Sequence, residues 1–347
     1  MSSAARSTNL FKVAIVGAST LKGKEVRDVL GERTFPALDV KLLDDEAATG
    51  QLDQVNDEPT FIQATTPDEL SGVDFTFLTA ADDYAAKVWP IVRDAGSEIV
   101  DLTYSLENNT ESVLRAPWVE RELGRPHQPG LQSVPAVVAH PAATMLALLL
   151  ARVQKAAPVQ LATAVLSHPA SEYGRPGLDE LHDQTVNLLS LQTLPTAVFG
   201  TQIAFNVMAH SVAGAHPPLA EVEARILRHF RQIAGNRLAA PALLLTQAAI
   251  FHGYTAALFV RTTEETSLEK LAKALEGPHV QLSGAEDESP SNANIAGAPD
   301  ILASVRVDGS GNGYWIFAAC DNLRVSALQA VECAEGMLHT RPRGQLQ

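Results

Sequence analysis

The chain has 347 residues, too many for one ordinary hydrophobic core and well suited to two domains. Apolar residues make up 46% and charged residues 19%, a balance that fills two cores and excludes a disordered chain. The formal net charge of -14 sets the surface against phosphate backbones, and the densest basic stretch, Arg225, Arg228 and Arg231, reads as a solvated helix face, so no nucleic-acid partner is expected.

In chain order, Phe11–Gly17 is an apolar run ending on glycine, the pattern of a buried first strand. Leu21–Leu30 follows with helical spacing, Leu21, Val26 and Leu30 on one side and Lys22, Lys24, Glu25 and Arg27 on the other. Val40–Leu43, Val73–Thr79, Glu98–Leu102 and Val134–Ala139 read as further strands, with helices over Tyr84–Ala95 and Ala142–Val153. Strands alternating with helices imply parallel pairing through right-handed crossovers, hence an α/β, Rossmann-type doubly wound sheet.

Beyond about Gln154 the rhythm changes. Pro158–Leu166 is a strand, Ser171–Leu191 a long helix and Ala220–Ile233 another. Ala242–Ile250 and Thr255–Val260 are adjacent strands, followed by helix Ser267–Leu275, the polar loop Gly284–Asn294, strands Ile301–Val307 and Gly313–Ala319, and a closing helix Asn322–Leu338. Runs of strands with occasional helices predict an α+β domain whose sheet is mixed or antiparallel. The longest apolar run, Met145–Ala151, is far short of a membrane span, and the N-terminus lacks a signal-peptide pattern, so no membrane partner is expected. Cys320 and Cys333 form no CxxC motif and suit a reducing compartment; a cytoplasmic location is the expectation. Cys320 follows an apolar strand and Cys333 lies between Val331 and Met337 on the closing helix, and both read as core. The ten histidines include no HxH or HExxH pair, so no metal site is expected.

The stretch Gly17-Ala18-Ser19-Thr20-Leu21-Lys22-Gly23 joins the first strand to the first helix. Glycine permits a tight turn there, and the helix N-terminus offers N–H groups and positive dipole to a pyrophosphate. Only the outer glycines are present, with Thr20 between them, so the segment reads equally as a dinucleotide turn or as a plain strand-to-helix turn.

These segments together resemble the aspartate-semialdehyde dehydrogenase family. The turn is similar to that family's G-A-T-G-x-V-G. Leu42-Leu43 with Gly50, Val73-Asp74 through Thr79-Ala80, Pro90, Asp101, Pro141 and Asp179-Glu180-Leu181 follow its pattern in order. Ile203-Ala204-Phe205-Asn206-Val207 is its I-A-F-N-V, and Asp321-Asn322-Leu323-Arg324 its D-N-L-R. The resemblance implies a dinucleotide-binding-like domain over residues 1–140, completed by helix 322–340, and a dimerisation domain over 141–321. It implies a homodimer, NADP-dependent reduction of an acyl phosphate through a cysteine thioester, a histidine acid/base and an arginine that holds the substrate carboxylate. Its tentative cofactor residues here are Gly17, Ser19, Thr20, Leu21, Gly23, Asp45 and Asn322.

The chemistry positions depart from that pattern. Ala143 falls where the nucleophilic cysteine belongs, Tyr254 on the histidine, Gln247 on the carboxylate-binding arginine, His168 on a substrate-side glutamine and Glu107 near a phosphate-binding arginine. Arg225 aligns with the family's phosphate lysine in a loose register. A methyl group cannot form a thioester, and a phenol with a pKa of about 10 is a poor base near neutrality. On the cofactor side, Asp45 and Ala47 replace the 2′-phosphate-binding pair, and the run Asp44-Asp45-Glu46 favours NAD over NADP. The expectation is a catalytically inactive homologue of the Usg type that acts as a dimeric binding or partner protein, with a homodimer or an active paralogue as partner. The alternative is an NAD(P)-dependent oxidoreductase with altered, non-covalent chemistry. His140 and His168 read as structural, and His252 as a candidate to share a strand face with Tyr254.

Overall fold

The computed structural model describes residues 10–338 apart from 56–57, 128–129, 131–133, 211–216, 285 and 310–311. The chain divides into two compact units. One takes the residues up to Arg115, His127–Val138 and the residues from Ala327 on; the other takes Ala116–Pro126 and Ala139–Ser326. This division differs from boundaries at 140 and 322. Helix Pro117–Glu122 goes with the second unit because Trp118 and Val119 are buried and Glu122 pairs with Arg152 at 3.0 Å.

The first unit is built on a parallel sheet in the order Gln63–Ala64, Ala37–Asp44, Phe11–Val16, Phe75–Leu78, Glu98–Asp101, Ala136–Val138, Val113–Arg115. Val13–Val16 and Phe75–Leu78 are fully enclosed, as expected of apolar runs covered on both faces of a parallel sheet. Helix Leu21–Glu32 buries Val26, Val29 and Leu30, and helix Asp82–Asp94 begins with Asp82 and Asp83, whose charges suit the helix dipole. Small features lay below the resolution of periodicity: the hairpin Leu52–Val55 with Glu58–Phe61, and strand Val113–Arg115.

The second unit carries a mixed sheet in the order Val207–Met208, Ala242–Ala248, Val159–His168, Tyr254–Thr262, Gly313–Cys320, Ile301–Val307, Val280–Leu282. Ala242–Ala248 and Tyr254–Thr262, consecutive in sequence, are not neighbours. Val159–His168 lies between them, parallel to the first and antiparallel to the second. Under one face runs helix Pro141–Ala156, apolar all round and almost wholly buried, with proline in its first turn where the missing N–H costs nothing. Helix Leu219–Ala234 is amphipathic, burying Val222, Ile226, Phe230 and Ile233 at helical spacing. On it Arg225 and Arg228 are half-buried, and only Arg231 of that triplet is exposed, a correction to the solvated stripe. The predicted helix Ser171–Leu191 is a 3₁₀ turn, Ala170–Tyr173, and then an α-helix, Gly174–Leu189, broken at Gly174 by its φ of 69°. The closing helix is Asn322–Met337, and residues 339–340 fall outside the described residues. Among the described residues, no helix is long and apolar enough to cross a membrane.

Candidate functional site

In the first unit the glycine turn is closed by packing on both sides. Gly17 has a φ of 92°, and a Cβ there would stand 2.2 Å from the Ala80 amide nitrogen; a Cβ on Gly23 would stand 2.2 Å from the Gly17 carbonyl oxygen. Only glycine fits either position. Thr20, in the place of a third glycine, works as a clasp: its hydroxyl accepts from the Gly23 amide at 3.0 Å and reaches the carbonyls of Gly17 and Thr79 at 2.8 and 3.0 Å. It is the N-cap of the helix that Leu21 begins.

The acidic run beyond the second strand splits in two. Asp44, at the strand's carboxyl end, is buried, and its carboxylate accepts from the amides of Ser19 and Asp45, both at 2.9 Å. Asp45 is exposed and accepts from the Ala48 amide at 3.1 Å. The acidic side chain tied to the turn is therefore Asp44, one residue before the position that resemblance suggested. Asp101 is buried deeper. Burial pushes its carboxyl above the usual range, opposed by hydrogen bonds from Thr103 and Leu106 that shape the loop leading to Glu107.

In the second unit several positions singled out from the sequence come together. Gln247, His168, Tyr254 and Cys320 form a row across four neighbouring strands on the buried face of the mixed sheet. Gln247 is the register partner of His168, and Cys320 that of Tyr254; the Tyr254 hydroxyl lies 2.7 Å from Nδ1 of His168. Above this row, His140 caps helix Pro141–Ala156, its Nδ1 accepting from the Ala142 amide at 3.3 Å. Its Nε2 is 3.5 Å from the Tyr254 hydroxyl, and its own amide donates to Nδ1 of His229 at 3.0 Å. Burial drives the pKa of His168 down to about 3, so this ring is neutral at physiological pH. Tyr173 packs edge-on against it with ring centroids 5.4 Å apart.

Ala143 is fully buried in the first turn of that helix. Neither thiol is an open nucleophile. Cys320 and Cys333 are both completely enclosed. Burial, then Asp321 and Glu172, push the Cys320 thiol well above its ordinary range, away from the thiolate form.

Asn322 belongs to the second unit and is committed there. Its carbonyl oxygen accepts from the Gly253 amide and the Ser171 hydroxyl, and its NH₂ donates to Glu172 at 2.8 Å. Gly253, with a φ of 80°, turns that amide toward Asn322 and starts the strand at Tyr254. His252 precedes the strand and does not share its face, which corrects the expected pairing with Tyr254. Among the described residues, no three His, Cys, Asp or Glu side chains are placed to hold a metal ion. The resemblance sets His140 and His168 in one region; that His229 joins them was missed from sequence, because it carries no motif.

The comparisons with known proteins agree with this architecture. Residues 12–125 match the semialdehyde dehydrogenase NAD binding domain and residues 150–325 the semialdehyde dehydrogenase dimerisation domain. Over 266 residues the chain is 28% identical to a USG-1 protein homolog of Pseudomonas aeruginosa, covering 77% of this chain and 78% of that one. Over 341 residues it is 26% identical to aspartate-semialdehyde dehydrogenase 2 of Vibrio cholerae, covering 94% and 97% of the two chains. The solved structure of a probable aspartate-semialdehyde dehydrogenase from Pseudomonas aeruginosa superposes with a TM-score of 0.84 at 23% identity, over 95% of this chain and 98% of that one, a likeness of fold. With both of its domains matched in order, the chain belongs to the semialdehyde dehydrogenase family.

Proposed function

We propose that this protein is a semialdehyde dehydrogenase homologue that has lost the acyl-transfer reaction and works as a homodimeric binding protein. The carrying observation is the His140–Tyr254–His168 chain, which fills the position where resemblance puts the reacting groups and holds no thiolate. Ala143 has no atom that can attack a carbonyl, and the enclosed Cys320 thiol is kept protonated. Burial keeps His168 neutral near pH 7, so its ring does not take up a proton there.

Dimerisation is supported by the other face of the mixed sheet. Leu244, Val165, Ala257 and Phe317 form a row across four strands, with Leu161 and Trp315 beside it. Leu161, Val165, Leu244, Trp315 and Phe317 are exposed, and an apolar sheet surface of this kind marks a protein-contact site. A second copy of the chain is the occupant proposed here, as the family's dimerisation domain suggests.

For the cofactor, the glycine contacts of the turn fit a dinucleotide, and Asp44 beside Ser19 favours a ribose with a free 2′-hydroxyl over a 2′-phosphate. Gly17, Ser19, Thr20, Leu21, Gly23 and Asp44 would hold NAD, which supplies hydride chemistry when bound.

The test is phosphate-dependent oxidation of aspartate semialdehyde by the pure protein with NAD and with NADP, alongside calorimetric titration of each dinucleotide. No turnover, with saturable NAD binding, is expected. Turnover that scales with protein concentration would overturn the reading.

A further inference from the structure

A cavity of about 560 Å³ opens in the second unit, on the face of the mixed sheet that carries the exposed apolar row. One side of it is aromatic. Trp315 and Phe317 stand two residues apart on one strand, so both side chains leave the same face. They are 37% and 38% exposed. The Trp315 indole packs against Phe259 with ring centroids 5.1 Å apart, which holds it in place. The other side is polar. Arg306 and Ser304 are the register partners of Trp315 and Phe317 on the next strand. Ser283 and Ser289 come from the loop that follows strand Val280–Leu282. Among the described residues, no hydrogen bond, ion pair or ring contact engages the Arg306 side chain or these three serine hydroxyls.

Apolar walls with a few convergent polar groups are the composition of a small-molecule site. The aromatic side suits a planar ring. A guanidinium offers a two-pronged bond to a carboxylate, and the hydroxyls can donate to the same oxygens. One guanidinium supplies one positive charge. Glu286, Asp287 and Glu288 lie exposed on the loop between Gly284 and Ser289, and the Asp287 carboxylate is committed to the Gly284 amide at 2.7 Å. A doubly charged phosphate would meet about twice the repulsion from these groups that a single carboxylate meets.

We propose that this cavity binds a small aromatic carboxylate, its ring against Trp315 and Phe317 and its carboxylate on the Arg306 guanidinium, in competition with a second copy of the chain. The competition rests on the homodimer reading above, because Trp315 and Phe317 cannot pack on a ligand ring and on a partner's sheet at once. A ligand that enters only the lone copy draws the equilibrium toward it by mass action.

The test titrates the full-length protein with 3-phenylpropionate, following the indole N–H resonance of Trp315 and, in parallel, sedimentation. The acid should shift that resonance saturably and move the protein from dimer to monomer. Its amide, with the same ring and no charge, and propionate, with the charge and no ring, should each bind about tenfold or more weakly. Arg306→Met, at an exposed position and checked for native melting, should weaken the acid about tenfold and erase its advantage over the amide. No saturable shift, equal affinity for acid and amide, an unchanged preference in Arg306→Met, or binding that leaves the dimer intact overturns the proposal. A protein that is monomeric before any ligand is added sinks the homodimer reading instead, and the Trp315 titration then judges the carboxylate site by itself.

Discussion

The hydroxyl of Tyr254 meets Nδ1 of His168 at 2.7 Å, joining two strands whose residues are 86 positions apart in the chain. Tyr254→Phe removes that hydroxyl and leaves a buried imidazole nitrogen without its partner. The expected cost is about 1–3 kcal/mol of stability, seen as a lower urea midpoint with an unchanged slope.

Acidification should weaken the fold through His168. Burial holds its pKa at about 3 when folded, against an ordinary value of 6.5. Between those values the unfolded chain takes up a proton that the folded one refuses, so stability falls as pH drops from 6.5 toward 3 and is unaffected by this group above 6.5. His168→Phe should remove that part of the slope, at most about 1.4 kcal/mol per pH unit. Urea denaturation of both proteins at several pH values checks it; superimposable profiles would contradict the assignment.

Thiol titration gives a simple check on the nucleophile argument. Cys320 and Cys333 are enclosed, so an aromatic disulfide reagent should label neither in the native protein and both after unfolding. Fast native labelling of one thiol would place a reactive cysteine where none is expected.

Gly17→Ala sets a methyl group against the Ala80 backbone at a φ of 92°. Because a backbone neighbour cannot swing away, the loss should be about 3 kcal/mol or more. A melting temperature within a degree or two of the parent would show that the turn opens more easily than its packing implies.

The exposed sheet row supplies a fifth test. Phe317→Glu puts a charge among Val165, Ala257 and Leu244. It should shift the sedimentation of the protein from dimer to monomer while circular dichroism stays native.

Sequence reasoning was strongest where the pattern is local. The run Phe11–Gly17, the turn to Gly23 and the apolar stretch of helix Pro141–Ala156 are each short-range signals, and the structure places elements there. It was weakest where position depends on sheet pairing. Nothing near residues 242–262 announces that Val159–His168 separates the two strands, because parallel pairing is set by register and crossover, not by composition. The same limit hid the row Gln247–His168–Tyr254–Cys320. Asp44 and Asp45 are chemically alike, and only coordinates show that the buried Asp44 accepts from the Ser19 amide while Asp45 is exposed. The proposed loss of acyl-transfer chemistry, by contrast, is argued from side-chain identity at positions 143, 247 and 254, and needs no coordinates.

The first unit draws part of its core from residues after Ala327, where Ala330, Val331 and Ala334 are buried and Glu335 grips Arg33 at 2.7 Å. During synthesis, the domain that begins first is therefore the one that cannot finish until the final helix has left the ribosome. Its parallel sheet must wait, incompletely covered, while the whole second unit is made. A fragment stopping short of that helix should be captured by chaperones or aggregate, and the early strands, not the late ones, should set the yield of soluble protein.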